Sequence, residues 1–323
     1  MNILVIINPL TLSEVTEEEL AGIREASGGA QIVIANGREE AAQHLPDAEV
    51  VLGIIDRQSF PNAKNLKWMH SIASGADMLM YPEMVASDVV LTGEKALVGE
   101  HLADHGFALL LALTRQLKRA FAEGPESYKS RMQMREVMIE LSGLTMGIVG
   151  FGGTGRAMTT RAKAFGMSVI AVDLMEDIAR PPEVEWLKGM ASFHELLRAS
   201  DVVAVCCPLT PETRGMFNDA AFDAMKPTAY ILNVTRGGII DNDSIVRALQ
   251  QGKIAGAGLD VTPIEPLPAD HPMWAMPNVV VTPHTAGASP QRSHRNVLRF
   301  IENLKHYRAD EPLEGLIDKQ RGF

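Results

Sequence analysis

Short apolar runs punctuate the chain, and amphipathic stretches separate them. In the first hundred residues the runs are Ile3–Ile7, Gln31–Ala35, Val50–Ile54, Leu66–Ile72 and Val89–Leu91. Between the first two lies Ser13–Ala26, whose first turn is acidic, as suits a helix start. Strands alternating with helices predict a parallel sheet covered on both faces, and five such strands predict a small doubly wound domain. Glu100–Leu117 reads as a long helix bridging to a second domain. Ala122–Glu140 is polar, lacks clean periodicity and is broken at Gly124-Pro125, so it is expected to be an arm or loop that contributes to dimer contacts. Six further strands are predicted at Met146–Val149, Ser168–Asp173, Val202–Cys206, Ala229–Val234, Ala257–Val261 and Val279–Thr282. The last segment, Ser289–Tyr307, is an amphipathic helix expected to pack back on the first domain. The predicted organisation is therefore a discontinuous first domain, 1–99 with 288–323, and a second domain, 100–287.

Size agrees with that division, because 323 residues exceed what one core of ~100–200 residues organises. The apolar fraction of 46% and the charged fraction of 22% are those of a globular protein. A net charge of −10 argues against nucleic acid and against an anionic membrane surface as partner. The longest apolar run, near Phe107–Leu113, falls far short of the ~20 residues that span a bilayer. No basic segment precedes the first apolar run, which reads as a strand rather than a signal peptide. Cys206 and Cys207 are adjacent and cannot form an ordinary bridge with each other, which suits a reducing cytoplasm.

Candidate chemistry begins at Gly150-Phe-Gly152-Gly153-Thr154-Gly155, between a predicted strand and a predicted helix. The spacing G-x-G-x-x-G there is that of a Rossmann turn. One glycine makes the tight turn, one admits the pyrophosphate, one lets the helix lie against the strand, and free amides at the helix start meet the negative charge. Asp173 ends the next strand, 18 residues beyond Gly155, close to the ~20-residue spacing at which an acid grips the adenosine ribose. Leu174 and Met175 follow it, with no basic residue to clamp a 2′-phosphate, and Glu176 and Asp177 would repel one. The pattern favours NAD (NADH) over NADP. Two other stretches admit either a functional or a plain reading. Ser71-Ile-Ala-Ser74-Gly75-Ala-Asp77 is a small turn whose amides could hold a carboxylate, or simply a strand–helix connection. His101 and His105 have the spacing of a zinc-binding pair, but with no third ligand cluster nearby they read as a polar helix face, and no metal is expected.

From Asp201 onward the chain resembles the D-isomer-specific 2-hydroxyacid dehydrogenases. The resemblance is carried by Cys207-Pro-Leu-Thr-Pro-Glu-Thr213, Met225-Lys-Pro, Leu232-Asn-Val-Thr-Arg236-Gly-Gly, Gly256-Ala-Gly-Leu-Asp260-Val, Glu265-Pro-Leu-Pro, His271-Pro-Met-Trp274 and Thr282-Pro-His284-Thr-Ala-Gly287. Upstream it resumes at Ser74–Asp77 and Glu100–His105, so it covers most of the chain. It implies two doubly wound parallel-sheet domains, a Rossmann dinucleotide-binding domain and a smaller flavodoxin-like substrate domain. A small 2-oxo or 2-hydroxy acid such as glyoxylate or hydroxypyruvate is expected in the cleft between them, and domain closure would exclude water.

The resemblance also implies roles. Arg236, a planar and permanently charged fork, would bind the substrate carboxylate and carbonyl oxygen. His284 would be the acid–base group and Glu265 its orienting partner. Asp260 and the backbone at Thr235 would face the nicotinamide carboxamide, and Cys207, Pro208 and Thr213 fall where the family contacts the cofactor. Ser74 and Gly75 would bind substrate through their amides, and Trp274 would line the pocket. A homodimer is expected.

Asp104 departs from the family's usual Ala-Glu-His triplet, Thr154 replaces a bulky aliphatic, and Tyr128–Glu140 lacks the tryptophan often found there. These departures bear on substrate fit and dimer detail rather than on reaction class. The alternatives are a non-catalytic NAD-sensing protein of corepressor type, which shares the fold and triad, and a phosphite dehydrogenase-like oxidoreductase.

Overall fold

Apolar runs at the ends of short crossovers assemble two parallel sheets in this computed structural model, which describes residues 1–73, 75–175 and 178–323. The chain divides into two units, Met1–Val98 with Ala288–Phe323, and Gly99–Gly287. No helix among the described residues is long and apolar enough to cross a membrane.

The first unit holds β1 (Asn2–Ile6), β2 (Gln31–Ala35), β3 (Val50–Leu52), β4 (Trp68–His70) and β5 (Val90–Thr92) in the order β2-β1-β3-β4-β5. All pairings between these strands are parallel. β3 is Val-Val-Leu and wholly buried, as expected of a sheet covered on both faces. The first helix, Glu17–Ala26, starts at a capping box: Thr16 accepts from the Glu19 amide, and the Glu19 carboxylate accepts from the Thr16 amide at 2.7 Å. Near the chain end, the Gly93 amide donates to Gly315 and the Ile317 amide to Leu91, so this segment lies antiparallel along β5.

Helix Pro290–Ala309 completes this unit. Val297, Phe300 and Leu304 are buried, and Phe300 and Tyr307 lie 5.1 and 5.2 Å from the Trp68 ring. Trp68 donates to the Thr92 hydroxyl at 2.9 Å, which lies 2.8 Å from His70 Nδ1. Burial, aided by the Arg299 charge, pushes His70 down to about 3, so this histidine is a neutral core residue. Arg292 meets the buried Glu94 through two bonds of 2.7 and 2.6 Å, and Asn296 donates to the same carboxylate. A charge pair withdrawn from water needs such two-point geometry to offset its desolvation.

The second unit carries β6 (Thr145–Val149), β7 (Ser168–Asp173), β8 (Trp186–Gly189), β9 (Val202–Val205), β10 (Tyr230–Asn233), β11 (Gly256–Leu259) and β12 (Val279–Val281). They form one parallel sheet in the order β12-β11-β10-β9-β6-β7-β8. The chain reverses direction across the sheet between β6 and β9, which is where doubly wound sheets open a ligand crevice. Two findings differ from the sequence reading. β8 adds a seventh strand; it lies at the sheet edge, is only partly buried, and so carries no apolar run. The expected arm or loop is instead helical, with Leu117–Glu123 and Arg131–Val137 joined by a 3-10 turn at Gly124–Tyr128. Asp104, which departs from the family triplet, shares Arg161 with Glu100 at 2.7 and 2.8 Å.

Phe300→Ala should destabilise the first unit by about 3–5 kcal/mol, the usual cost of emptying a buried aromatic site. Urea unfolding followed by Trp68 fluorescence in a background carrying Trp186→Phe and Trp274→Phe measures this, and a loss below about 1 kcal/mol would show that the helix does not complete that core.

Candidate active site

The glycine turn follows β6. Gly150 has φ +95°, and a Cβ there would stand 2.5 Å from the Cys207 amide nitrogen. At Gly155 a Cβ would lie 2.4 Å from the Gly150 carbonyl oxygen, so only glycine lets the helix Gly153–Ala164 begin this close to the strand. At Gly152, by contrast, a Cβ would meet no atom within 4 Å. That open position lies where Gly153 and Thr154 start the helix, with neither a side-chain cap nor an acid in its first turn. Amides left without capping partners beside open space suit a pyrophosphate.

Asp173 closes this end of the site. Its Oδ2 accepts from the Phe151 amide at 2.6 Å, inside the glycine turn, and Oδ1 accepts from the Met175 amide at 2.8 Å. The carboxylate thus braces the turn while it stands at the end of β7, where ribose hydroxyls are expected. Glu176 and Asp177 lie outside the described residues. Cys207 is buried behind Gly150, and burial pushes its thiol up to about 12, so it forms an inert wall. Pro208 and Thr213 belong to one braced loop: the buried Thr213 hydroxyl donates to the Pro208 carbonyl at 2.7 Å and accepts from the Thr210 amide at 2.8 Å. These residues fit a dinucleotide laid across β6, β7 and β9.

The other half of the same sheet edge brings together Arg236, Glu265 and His284, which follow the neighbouring strands β10, β11 and β12. Buried Asn233 shapes the first turn by donating to the Arg236 carbonyl at 2.9 Å and accepting from the Thr235 amide at 3.1 Å. The Arg236 guanidinium in turn donates to the Thr235 carbonyl at 2.9 Å. At Gly237 a Cβ would come within 1.7 Å of the Thr262 carbonyl oxygen, so glycine is what lets the β10 and β11 loops touch. Thr262 also donates its amide to Glu265 Oε1 at 3.0 Å, leaving Oε2 to face His284 Nδ1 at 2.9 Å. The His284 side chain is 50% exposed, and its backbone is left-handed at φ +55°. That conformation costs a non-glycine residue about 1–2 kcal/mol, and its amide is held by the Asp260 and Thr282 carbonyls at 2.9 and 3.0 Å.

Asp260 is buried beneath this loop and accepts from Thr282, Thr285 and Ala286. Trp274 is half-exposed and donates to the Pro268 carbonyl at 2.9 Å. In the first unit, Gly75 lies in the partly exposed turn after β4, and Ser74 lies outside the described residues. His105 corrects the reading of a polar helix face. It points at Thr282 Oγ1 from 2.8 Å and at Asp260 Oδ1 from 3.3 Å. The sequence marked it only as half of a histidine pair, and the contact bridges residues too far apart in the chain for spacing to reveal.

A parallel sheet with a nucleotide turn at one half of its edge, and an arginine and an acid–histidine pair at the other, is the framework of a nicotinamide-dependent oxidoreductase. More particularly, the chain belongs to the D-isomer specific 2-hydroxyacid dehydrogenases: the family's NAD binding domain matches residues 107–286. A glyoxylate reductase of Thermococcus onnurineus is 37% identical over 294 residues, covering 88% of this chain and 86% of the relative. A D-isomer specific 2-hydroxyacid dehydrogenase from Xanthobacter autotrophicus, solved with NADPH and MES, superposes with a TM-score of 0.81 at 25% identity, covering 99% of each chain. An NAD-dependent formate dehydrogenase from Staphylococcus aureus, solved with NAD, superposes with a TM-score of 0.75 at 25% identity, covering 98% of this chain and 99% of the other.

Proposed function

We propose that this protein is a 2-oxoacid reductase that converts a small 2-oxo acid, glyoxylate or hydroxypyruvate being the leading candidates, to the D-2-hydroxy acid, with NADH as reductant. The observation that carries the reading is the 2.9 Å contact between His284 Nδ1 and Glu265 Oε2, made at a strand end adjacent to Arg236. Glu265 fixes the imidazole with Nδ1 as the donor to the carboxylate, which leaves Nε2 to handle the reacting proton. Arg236 binds the substrate carboxylate and polarises the neighbouring carbonyl. Bound nicotinamide supplies the hydride to the carbonyl carbon. His284 delivers its Nε2 proton to the carbonyl oxygen, and in the reverse direction it takes the hydroxyl proton. We place Asp260 and the Thr235 backbone at the nicotinamide end of the site and Trp274 beside the substrate. The glyoxylate reductase relative supports this substrate class over a non-catalytic NAD-sensing role or phosphite oxidation.

Cofactor choice rests on this chain's own residues, since one solved relative carries NADPH and another NAD. Asp173 accepts ribose hydroxyls at the end of β7 and offers no cation to a 2′-phosphate, so NAD is preferred. We also infer a homodimer in the cytoplasm. Phe121 and Tyr128 are 80% and 79% exposed, and Met132 and Val137 on the following helix are also exposed. Apolar side chains grouped this way mark a protein interface. The two free, buried cysteines suit a reducing compartment.

His284→Ala should lower kcat for glyoxylate reduction by about 10²–10⁴-fold while the Kd for NADH stays within about threefold. Stopped-flow turnover and fluorescence titration measure the two, and near-normal turnover would overturn the acid–base assignment. Asp173→Ala should weaken NADH binding and narrow the NADH-over-NADPH ratio of kcat/KM by about tenfold, equivalent to ~1.4 kcal/mol. An unmodified enzyme that already prefers NADPH would refute the role given to Asp173. Light scattering should give twice the chain mass, and Phe121→Glu with Tyr128→Glu should shift it to the monomer; a monomeric parent protein would remove the dimer from the proposal.

A further inference from the structure

Behind His284 lies a buried cluster that the proton-transfer chemistry does not itself use. The Asp260 side chain is 1% exposed. Its Oδ1 accepts from the Thr285 amide at 2.9 Å and the Thr282 hydroxyl at 2.7 Å, and its Oδ2 accepts from the Ala286 amide at 2.8 Å. Its main-chain carbonyl accepts the His284 amide at 2.9 Å. One residue therefore holds three consecutive amides of the segment that presents the acid–base imidazole. His105, on the helix Gly99–Thr114, completes the cluster, with Nε2 at 2.8 Å from Thr282 Oγ1 and 3.3 Å from Asp260 Oδ1.

The supply of protons within the cluster fixes the role of each group. Burial pushes the Asp260 carboxyl up, but the bonds from His105, Thr282 and the Ala286 and Thr285 amides outweigh it and hold the group below its ordinary range. An ionised carboxylate has no proton to give, so Thr282 donates across the 2.7 Å contact. Its single proton is then spent, and toward His105 the hydroxyl oxygen can only accept. The His105 ring must carry its hydrogen on Nε2.

We propose that His105 is a positioning residue for the reaction: its Nε2–H holds the Thr282 hydroxyl on Asp260, and Asp260 in turn fixes residues 284–286 and aims the His284 imidazole. The inference rests on the acid–base reading of His284. It gives the first helix of the second unit a part in the chemistry without contact with substrate. Loss of the His105 donor frees Thr282 to rotate and leaves Asp260 Oδ1 with fewer donors, so the left-handed backbone at His284 loses part of what maintains it.

The test uses the full chain with His105→Leu, His105→Gln and the near-isosteric Thr282→Val. Glutamine places an amide N–H near the position of Nε2. Hydrogen exchange across residues 282–287 should quicken by about tenfold or more in His105→Leu and Thr282→Val. With saturating NADH, kcat for glyoxylate should fall about 10–100-fold in both, as for a catalytic group displaced by an ångström or less, while the NADH Kd moves less than about threefold. His105→Gln should recover most of both losses. Unchanged exchange and kcat in His105→Leu and Thr282→Val would overturn the proposal, as would a glutamine variant as impaired as leucine, which would mean that ring bulk matters and not the hydrogen bond. His284→Ala in parallel keeps the two readings separate. If it retains turnover, the acid–base assignment fails whatever the exchange data show. If it is inactive while His105→Leu and Thr282→Val behave normally, only the positioning role fails.

Discussion

The backbone of Thr262 sets the spacing on which the candidate site's Arg236, Glu265 and His284 depend. Its carbonyl lies against Gly237, where a Cβ would come within 1.7 Å, and its amide donates to Glu265 at 3.0 Å. One residue, through its two flanking peptide groups, therefore locates the turn that carries Arg236 and also holds one oxygen of the glutamate that meets His284. Had Gly237 any side chain, the two strand-end loops would part and the guanidinium would move relative to the imidazole. A parallel sheet makes this arrangement possible, because the carboxyl ends of β10, β11 and β12 lie side by side and each can offer one polar residue.

The two halves of that edge use different physics. Around Gly150–Gly155 the contacts are main-chain amides, open space at Gly152, and one carboxylate that braces the turn. Such a surface recognises the shape and charge of a diphosphate, which is the same in every dinucleotide. At the other half the groups are side chains held by hydrogen bonds: the Arg236 guanidinium by the Thr235 carbonyl in a turn shaped by Asn233, Glu265 by Thr262, and His284 by Glu265. Directional chemistry needs these groups held to fractions of an ångström, and here that precision comes from the partners of each residue rather than from deep burial.

Much of this was legible in the sequence because the relevant signals are local. The central strands are nearly unbroken apolar runs, and the glycine turn, Asp173, Arg236, Glu265 and His284 stand just beyond them, where a polar residue has no reason to be unless it faces solvent or a ligand. β8 was not legible, since an edge strand is only partly buried and carries no pattern to read. The helices of 117–137 were hidden because Phe121, Tyr128, Met132 and Val137 face outward and break the periodicity expected of a helix on its own core. His105 was hidden for another reason. On one helix face it pairs by spacing with His101, yet its bonds go to Thr282 and Asp260, and only the folded sheet brings those residues beneath it.

Asp173 shows why cofactor preference is not a single detachable charge. Its two oxygens accept from Phe151, within the glycine turn, and from Met175, just past the end of β7. The carboxylate proposed to meet the ribose also maintains the shape of the glycine turn. Removing it takes away repulsion toward a 2′-phosphate but also leaves the Phe151 amide without its acceptor, so NADPH gains less than the lost repulsion alone would give while NADH loses on both counts. A chain of this kind that used NADP well would need a replacement acceptor for that amide as well as a cation near the ribose. Leu174 and Met175 supply neither.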